Sequence, residues 1–232
     1  MAIAKSEALE IAAREGWLSQ TPQRFRTAVL DRCILQTFEP GATIYMTGDT
    51  SGAIYGLISG TLSVNLATGE RGPYYAHFFR PGTWFGEGPL ISGTARLVGI
   101  SAVRETVLLQ LSQRSMEEIL RDDPGSWRQL ALLTLAKLQV AISIVDDLMI
   151  RDSAQRLIAV MLRLGGCRQT TPQATMPIEV DVSQEDLAAM ANLSRNTTNV
   201  ILRKLEKAGH INAAYRQIRI LSPDALRDKI GD

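Results

Sequence analysis

The sequence predicts an α+β fold in two parts: an antiparallel β barrel or jelly roll, then a long helix leading into a small C-terminal helical part with a β ribbon. Three observations predict it. From Leu35 to Leu111, short runs rich in β-branched and aromatic residues are separated by glycine at 41, 48, 52, 60, 69, 72, 82, 86 and 93. Beyond Ser112 the glycines thin out and apolar residues recur at spacings of three and four. Near the C-terminus, two short helical patterns are joined by a tight polar turn and followed by an alternating segment.

The elements follow in order. Leu9, Ala12 and Ala13, then Phe25, Val29 and Leu30, have helical spacing, with Ser19-Gln20-Thr21-Pro22 expected to cap a second helix that carries proline in its first turn. Within the barrel, 61–66 and 74–79 read as the strands of a hairpin joined through 67–73. Asp122-Asp123-Pro124 is expected to start a helix running to about Ile150. Along it Ala131, Leu135, Leu138, Ile142, Val145 and Met149 form the seam of a two-stranded coiled coil, or else a face packed on the chain's own domain. Ser153 is the expected N-cap of the next helix, which ends at Gly165-Gly166, and 169–176 reads as a polar loop. The resulting domains are a lead-in and barrel over 1–111, a connector and dimerisation helix over 112–151, and a C-terminal domain over 152–232.

Composition narrows the function. The chain has 232 residues, 45% hydrophobic and 21% charged, enough apolar material for real cores. Charge is scattered through the first twenty residues, so no secretory leader is expected, and no stretch is long and apolar enough to span a membrane. The expected compartment is the cytoplasm. Cys33 and Cys167 have no metal-ligand spacing, and no metal site is expected. No acid–base pair, nucleophile constellation or phosphate-binding glycine loop supports an enzyme, and His77 and His210 read as satisfied structural histidines. The net charge of +1 hides an asymmetry: between Ser194 and Arg219 stand Arg195, Arg203, Lys204, Lys207, Arg216 and Arg219 against the single anion Glu206.

That basic stretch begins inside a helix-turn-helix grammar running from Val182 to Glu206. Ser183 is expected to cap the first helix with Asp186 completing a capping box, and Leu187 and Met190 to face inward. Ala188 and Ala191 are small enough for a close helix crossing, and Asn192 suits a left-handed turn. Ser194 is expected to cap the second helix, with Val200, Ile201 and Leu205 among its inward positions. Its first turn, Arg195, Asn196, Thr197 and Asn199, offers side chains that bond base edges or phosphates, with Arg203 and Lys204 further along. Residues 209–221 alternate into a two-stranded wing carrying Arg216 and Arg219, and Ser222-Pro223 opens a last helix. The expected partner is double-stranded DNA.

From about Gln36 to Leu226 the sequence resembles the cyclic-AMP receptor protein and FNR (CRP/FNR) superfamily of bacterial transcription regulators. The carrying segments are Phe38-Glu-Pro-Gly-Ala-Thr-Ile44, Tyr55-Gly-Leu-Ile-Ser-Gly-Thr-Leu-Ser-Val64 and Pro81-Gly-Thr-Trp-Phe-Gly-Glu87, followed by the helix-turn-helix. The resemblance implies a cyclic-nucleotide-binding-type jelly roll, a dimerisation helix and a winged helix that reads a pseudo-palindromic operator as a homodimer, with RNA polymerase as partner where the regulator activates. It places a phosphate-binding cassette on Gly86, Glu87 and Arg96, with cyclic AMP or cyclic GMP as the implied effector. Leu97 and Val98 stand where the family places a hydroxyl residue and alanine, and Ala141 and Ile142 where polar side chains would meet adenine. The readings left open are an effector bound at these residues, a Glu87–Arg96 ion pair inside a barrel that is only a scaffold, and a plain cyclic-nucleotide-binding module.

Overall fold

Alternation along the central strands decides where the barrel's two cores lie. In the computed structural model, which describes residues 3–50, 52–66, 74–170 and 177–231, the chain divides into two compact units, Met1–Pro73 with Phe78–Leu138, and Tyr74–His77 with Gln139–Asp232.

The first unit opens with α1 (Lys5–Arg14), α2 (Gly16–Ser19) and α3 (Gln23–Arg32). Pro22 is the residue before α3 rather than its first helical position, and the Thr21 hydroxyl donates back to the Leu18 carbonyl. The strands are β1 (Ile34–Phe38), β2 (Thr43–Tyr45), β3 (Ala53–Ser59), β4 (Leu62–Leu66), β5 (Tyr74–Phe79), β6 (Trp84–Phe85), β7 (Gly99–Ala102) and β8 (Thr106–Ser112). They form two four-stranded sheets of order β1-β8-β3-β6 and β2-β7-β4-β5. The pairing of β4 with β5 agrees with the expected hairpin, whose connection 67–73 lies outside the described residues, as does 171–176 of the expected polar loop.

Strand β3 is buried on both faces, so its side chains sort by parity. Ala53, Tyr55 and Leu57 join Tyr45, Phe79, Phe85 and Leu108 in the barrel interior. Ile54 and Ile58 face the opposite way, into a second core with Ala8, Leu18, Phe25 and Val29 from the leading helices and Met116 and Leu120 from α5 (Gln113–Asp122). Burying each of these large side chains stabilises the unit by about 1.5–3 kcal/mol. A short helix, α4 (Gly88–Ser92), interrupts the strands directly after Glu87 and had no helical spacing to announce it.

A single 3₁₀ turn, Pro124–Ser126, precedes α6 (Trp127–Met149), close to the expected start and end. The chain passes from the first unit to the second within this helix, after Leu138. In the second unit, α7 (Ser153–Leu164) is capped by Asp152, whose Oδ1 accepts from the Ala154 and Gln155 amides; Ser153, the expected cap, is already helical. Next come β9 (Ile178–Val180), α8 (Gln184–Met190), α9 (Arg195–Lys207), β10 (Ile211–Ala214), β11 (Gln217–Ile220) and α10 (Pro223–Asp228). The wing has three strands, in the order β10-β11-β9, because β9 pairs antiparallel with β11 and buries Ile178 and Val180 beside Ile218 and Ile220.

Candidate functional site

Two N-caps and one left-handed residue build the helix-turn-helix. Ser183 Oγ accepts from the Asp186 amide at 3.0 Å, and its hydroxyl hydrogen goes to the Asp186 carboxylate, which therefore meets the cap's side chain. Asn192 turns the chain at φ 50°, and Ser194 Oγ accepts from the Thr197 amide at 3.1 Å to start α9. Ala188 and Ala191 are buried, as a close helix crossing demands. On α9 the inward side chains are Thr198, Ile201, Leu202 and Leu205, spaced by three, one and three. Val200 is 54% exposed, contrary to its expected inward place: one residue before Ile201 is about 100° round the helix, on the same outward side as Arg203 and Lys204.

Arg195, Asn196 and Thr197 are exposed and Asn199 is half-buried, so the first turn of α9 presents its polar groups outward. Arg216 sits in the turn between β10 and β11 at φ 55°, beside Tyr215, which is 90% exposed. A cleft of about 500 Å³ is lined, among others, by Ser183, Glu185, Asp186, Arg195, Tyr215 and Arg216, so the α9 arginine and the wing arginine share one concave surface. Arg219 is differently placed: it lies on the outer face of the wing sheet and pairs with Glu179 of β9 at 3.2 Å. Glu206 accepts from the Ala213 amide at 3.0 Å, tying the last turns of α9 to the wing.

The junction between α6 and α7 carries polar residues that no motif announced. Asp147 is 1% exposed and accepts from Arg163 Nε at 2.7 Å and from Arg168 Nε at 3.1 Å. Burial lowers the pKa of the Arg163 guanidinium, and the Asp147 carboxylate opposes that shift. Arg163 Nη1 also lies 3.0 Å from His77 Nδ1. Arg156, at the start of α7, binds three main-chain carbonyls: Ala191 through Nε at 2.7 Å, Ile150 through Nη1 at 2.6 Å, and Arg151 at 3.4 Å. The seam residues Leu135, Leu138, Ile142, Val145 and Met149 are all between 48% and 75% exposed in the single chain.

In the barrel, Arg96 is 4% exposed and committed to the chain itself. Its Nη1 donates to the Gly86 carbonyl and its Nη2 to the Ala53 carbonyl, both at 2.9 Å, while the Tyr45 ring covers the guanidinium 3.9 Å away. Gly86 has to be glycine: it sits at φ +98°, and a Cβ there would lie 2.5 Å from the Ala53 carbonyl oxygen and 3.0 Å from Arg96 Nη1. Glu87 turns toward α6, where Oε1 accepts from Thr134 at 3.4 Å. The Glu87–Arg96 ion pair, one of the readings left open, is not formed: Glu87 turns to Thr134 while Arg96 donates to the Gly86 and Ala53 carbonyls.

A cyclic phosphate needs a guanidinium free to bind it in a fork. Here Arg96 commits one N–H of each terminal nitrogen to the Gly86 and Ala53 carbonyls, and its Nε is buried without a partner. The barrel interior is filled with rings: Tyr55 and Phe85 stack at 5.4 Å, Phe79 lies 5.3 Å from Phe85, and Tyr45 lies 6.1 Å from both Tyr55 and Phe85. Leu97 is 84% exposed, Ala141 and Ile142 are exposed on the part of α6 that belongs to the second unit, and none of the three offers a side-chain hydrogen bond. The hydroxyl and polar side chains that the resemblance would place at 97, 141 and 142 are not supplied.

A barrel in front of a winged helix defines the class: a DNA-binding regulator with an N-terminal domain of the sensor type. Residues 35–123 match the cyclic nucleotide-binding domain family and residues 155–229 the Crp-like helix-turn-helix domain. The chain belongs to the CRP/FNR superfamily and is a sequence-specific DNA-binding transcription regulator of that type. It is 26% identical to the nitrogen fixation regulation protein FixK of Rhizobium meliloti over 84% of this chain and 86% of that one. It is 21% identical to the CRP-like cAMP-activated global transcriptional regulator of Mycobacterium tuberculosis over 94% of this chain and 97% of that one. Among solved structures, FixK2 from Bradyrhizobium japonicum superposes with a TM-score of 0.70 at 18% identity, covering 84% of this chain and 96% of that one. A CRP-family transcriptional regulator from Thermus thermophilus gives 0.66 at 24%, covering 85% and 97%. Among the described residues no helix is long and apolar enough to cross a membrane.

Proposed function

We propose that the chain acts in the cytoplasm as a homodimer that binds a pseudo-palindromic operator through α9, without a cyclic nucleotide in its barrel. The observation that carries the DNA reading is the first turn of α9: Ser194 caps it, Thr198, Ile201, Leu202 and Leu205 anchor it, and Arg195, Asn196 and Thr197 are exposed. In this reading Arg195 meets a guanine or a phosphate, and Asn196 favours adenine. Thr197, Asn199, Arg203 and Lys204 extend the contact, with the capped helix starts at Ser183 and Ser194 facing phosphates. Arg216 adds salt-dependent affinity from the wing, and Arg219 adds less because Glu179 already neutralises it. The exposed apolar seam Leu135, Leu138, Ile142, Val145 and Met149 takes a second copy, which sets two α9 helices about 34 Å apart on successive major grooves. RNA polymerase is a further partner at promoters where the bound dimer activates.

The nucleotide-independent reading is supported by Arg96, which donates from both terminal nitrogens to the Gly86 and Ala53 carbonyls, and by Leu97, Ala141 and Ile142, which bring no side-chain hydrogen bond. The DNA-reading assignment is tested by selecting an operator from a random-sequence pool and comparing the original chain with Arg195→Ala. Losing one base contact is expected to weaken operator binding about tenfold to a hundredfold and leave binding to unrelated DNA nearly unchanged. Selectivity kept by Arg195→Ala overturns the assignment of α9 as the reading helix.

A further inference from the structure

We propose that Arg156 is the positioning residue that fixes the helix-turn-helix on the end of the α6 helix, and so sets which half-site spacing the regulator accepts. This rests on the dimeric DNA-reading function proposed above. A helix ends in carbonyls without intrahelical partners and carries about half a negative charge there. Two such ends converge on one side chain here. Ile150 follows the last residue of α6, and Ala191 follows the last residue of α8. Brought together alone, these ends would repel and leave their carbonyls unmet. The Arg156 guanidinium answers both, with Nε on Ala191 and Nη1 on Ile150 and Arg151. A planar fork spans two carbonyl groups at fixed angles, which a single ammonium cannot do.

The side chain is itself held in place. The Arg156 amide donates to the Asp152 carbonyl, Asp152 caps α7, and Leu157 to Leu164 are buried along the rest of that helix. The gripped carbonyl on the far side belongs to Ala191, immediately before Asn192, where the chain pivots between α8 and α9. The Asp147 pairs with Arg163 and Arg168 hold α6 to α7 and its C-terminal extension without touching that pivot. Arg156 therefore joins the end of the helix proposed to pair the two copies to the pivot of the reading helix. One base pair of spacer moves a half-site by about 3.4 Å and rotates it by about 35°, so loosening this joint should blur the choice of spacing.

The experiment uses the full chain and its selected operator, with the spacer between half-sites changed by one base pair in either direction. The original chain is expected to prefer its own spacing by about tenfold or more. Arg156→Met should bring the three spacings within about threefold of one another, mainly by losing affinity for the native one. A smaller folded fraction would instead weaken all three equally. Arg156→Lys keeps the charge and stem, serves if the Met variant does not fold, and is expected to lose part of the discrimination. If both variants keep the original preference, the proposal is overturned. If the original chain itself has no spacing preference, the dimeric reading fails and takes this proposal with it.

Discussion

Lys137 is the residue whose protonation the fold disturbs most usefully. Its Nζ lies 4.6 Å from the centre of the Phe79 ring, and burial lowers its pKa to about 8, partly offset by the Glu87 charge. Below pH 8 the folded chain holds a desolvated ammonium. Between pH 8 and the ordinary lysine value of 10.5 the unfolded chain binds more protons than the folded one, so stability rises with pH across that window. Lys137→Met removes this dependence while keeping the apolar stem. The melting temperature of the Met variant relative to the original chain should therefore be highest near pH 7 and fall as pH approaches 10.5, and an unchanged difference would contradict the burial of Lys137. Single residues with local partners were legible from sequence: Ser183, Asn192 and Ser194 act within four residues of their own positions. Arg156 and Arg96 were not, because each joins a nearby carbonyl to a distant one, 35 and 43 residues away respectively.

At the scale of elements, α6 makes the sharpest demand. Its apolar seam is exposed in the single chain, so Leu138→Glu combined with Val145→Glu should give a monomer in sedimentation without unfolding either unit, and a surviving dimer would refute the seam. Elements with a strong period were readable: α6, α9 and the central strands declared themselves by spacing. Two were not. At three residues β9 is too short to show alternation, and only pairing with β11 defines it. The five-residue α4 begins with Gly88-Pro89 and has no apolar stripe. Val200 was misplaced because an apolar residue in an amphipathic helix was assigned inward, while Thr198 and Leu202 complete the buried stripe.

For the whole molecule, the class was legible because the barrel segments and the helix-turn-helix occur in one order along one chain. The effector question was not, since it turns on which way two side chains point. Gly86, Glu87 and Arg96 match a phosphate cassette in sequence, yet Arg96 braces the barrel wall, Glu87 faces Thr134, and aromatic rings fill the interior. A ligand can shift an equilibrium only by binding two states unequally, and under the function proposed above a cyclic nucleotide has no such difference to exploit. The most direct measurement is operator affinity of the full chain with and without saturating cyclic AMP or cyclic GMP, alongside calorimetric titration of the free protein with each nucleotide. The account predicts no binding heat and an operator affinity unchanged within about twofold. Saturable nucleotide binding that tightens the operator complex tenfold or more, by about 1.4 kcal/mol, would contradict it.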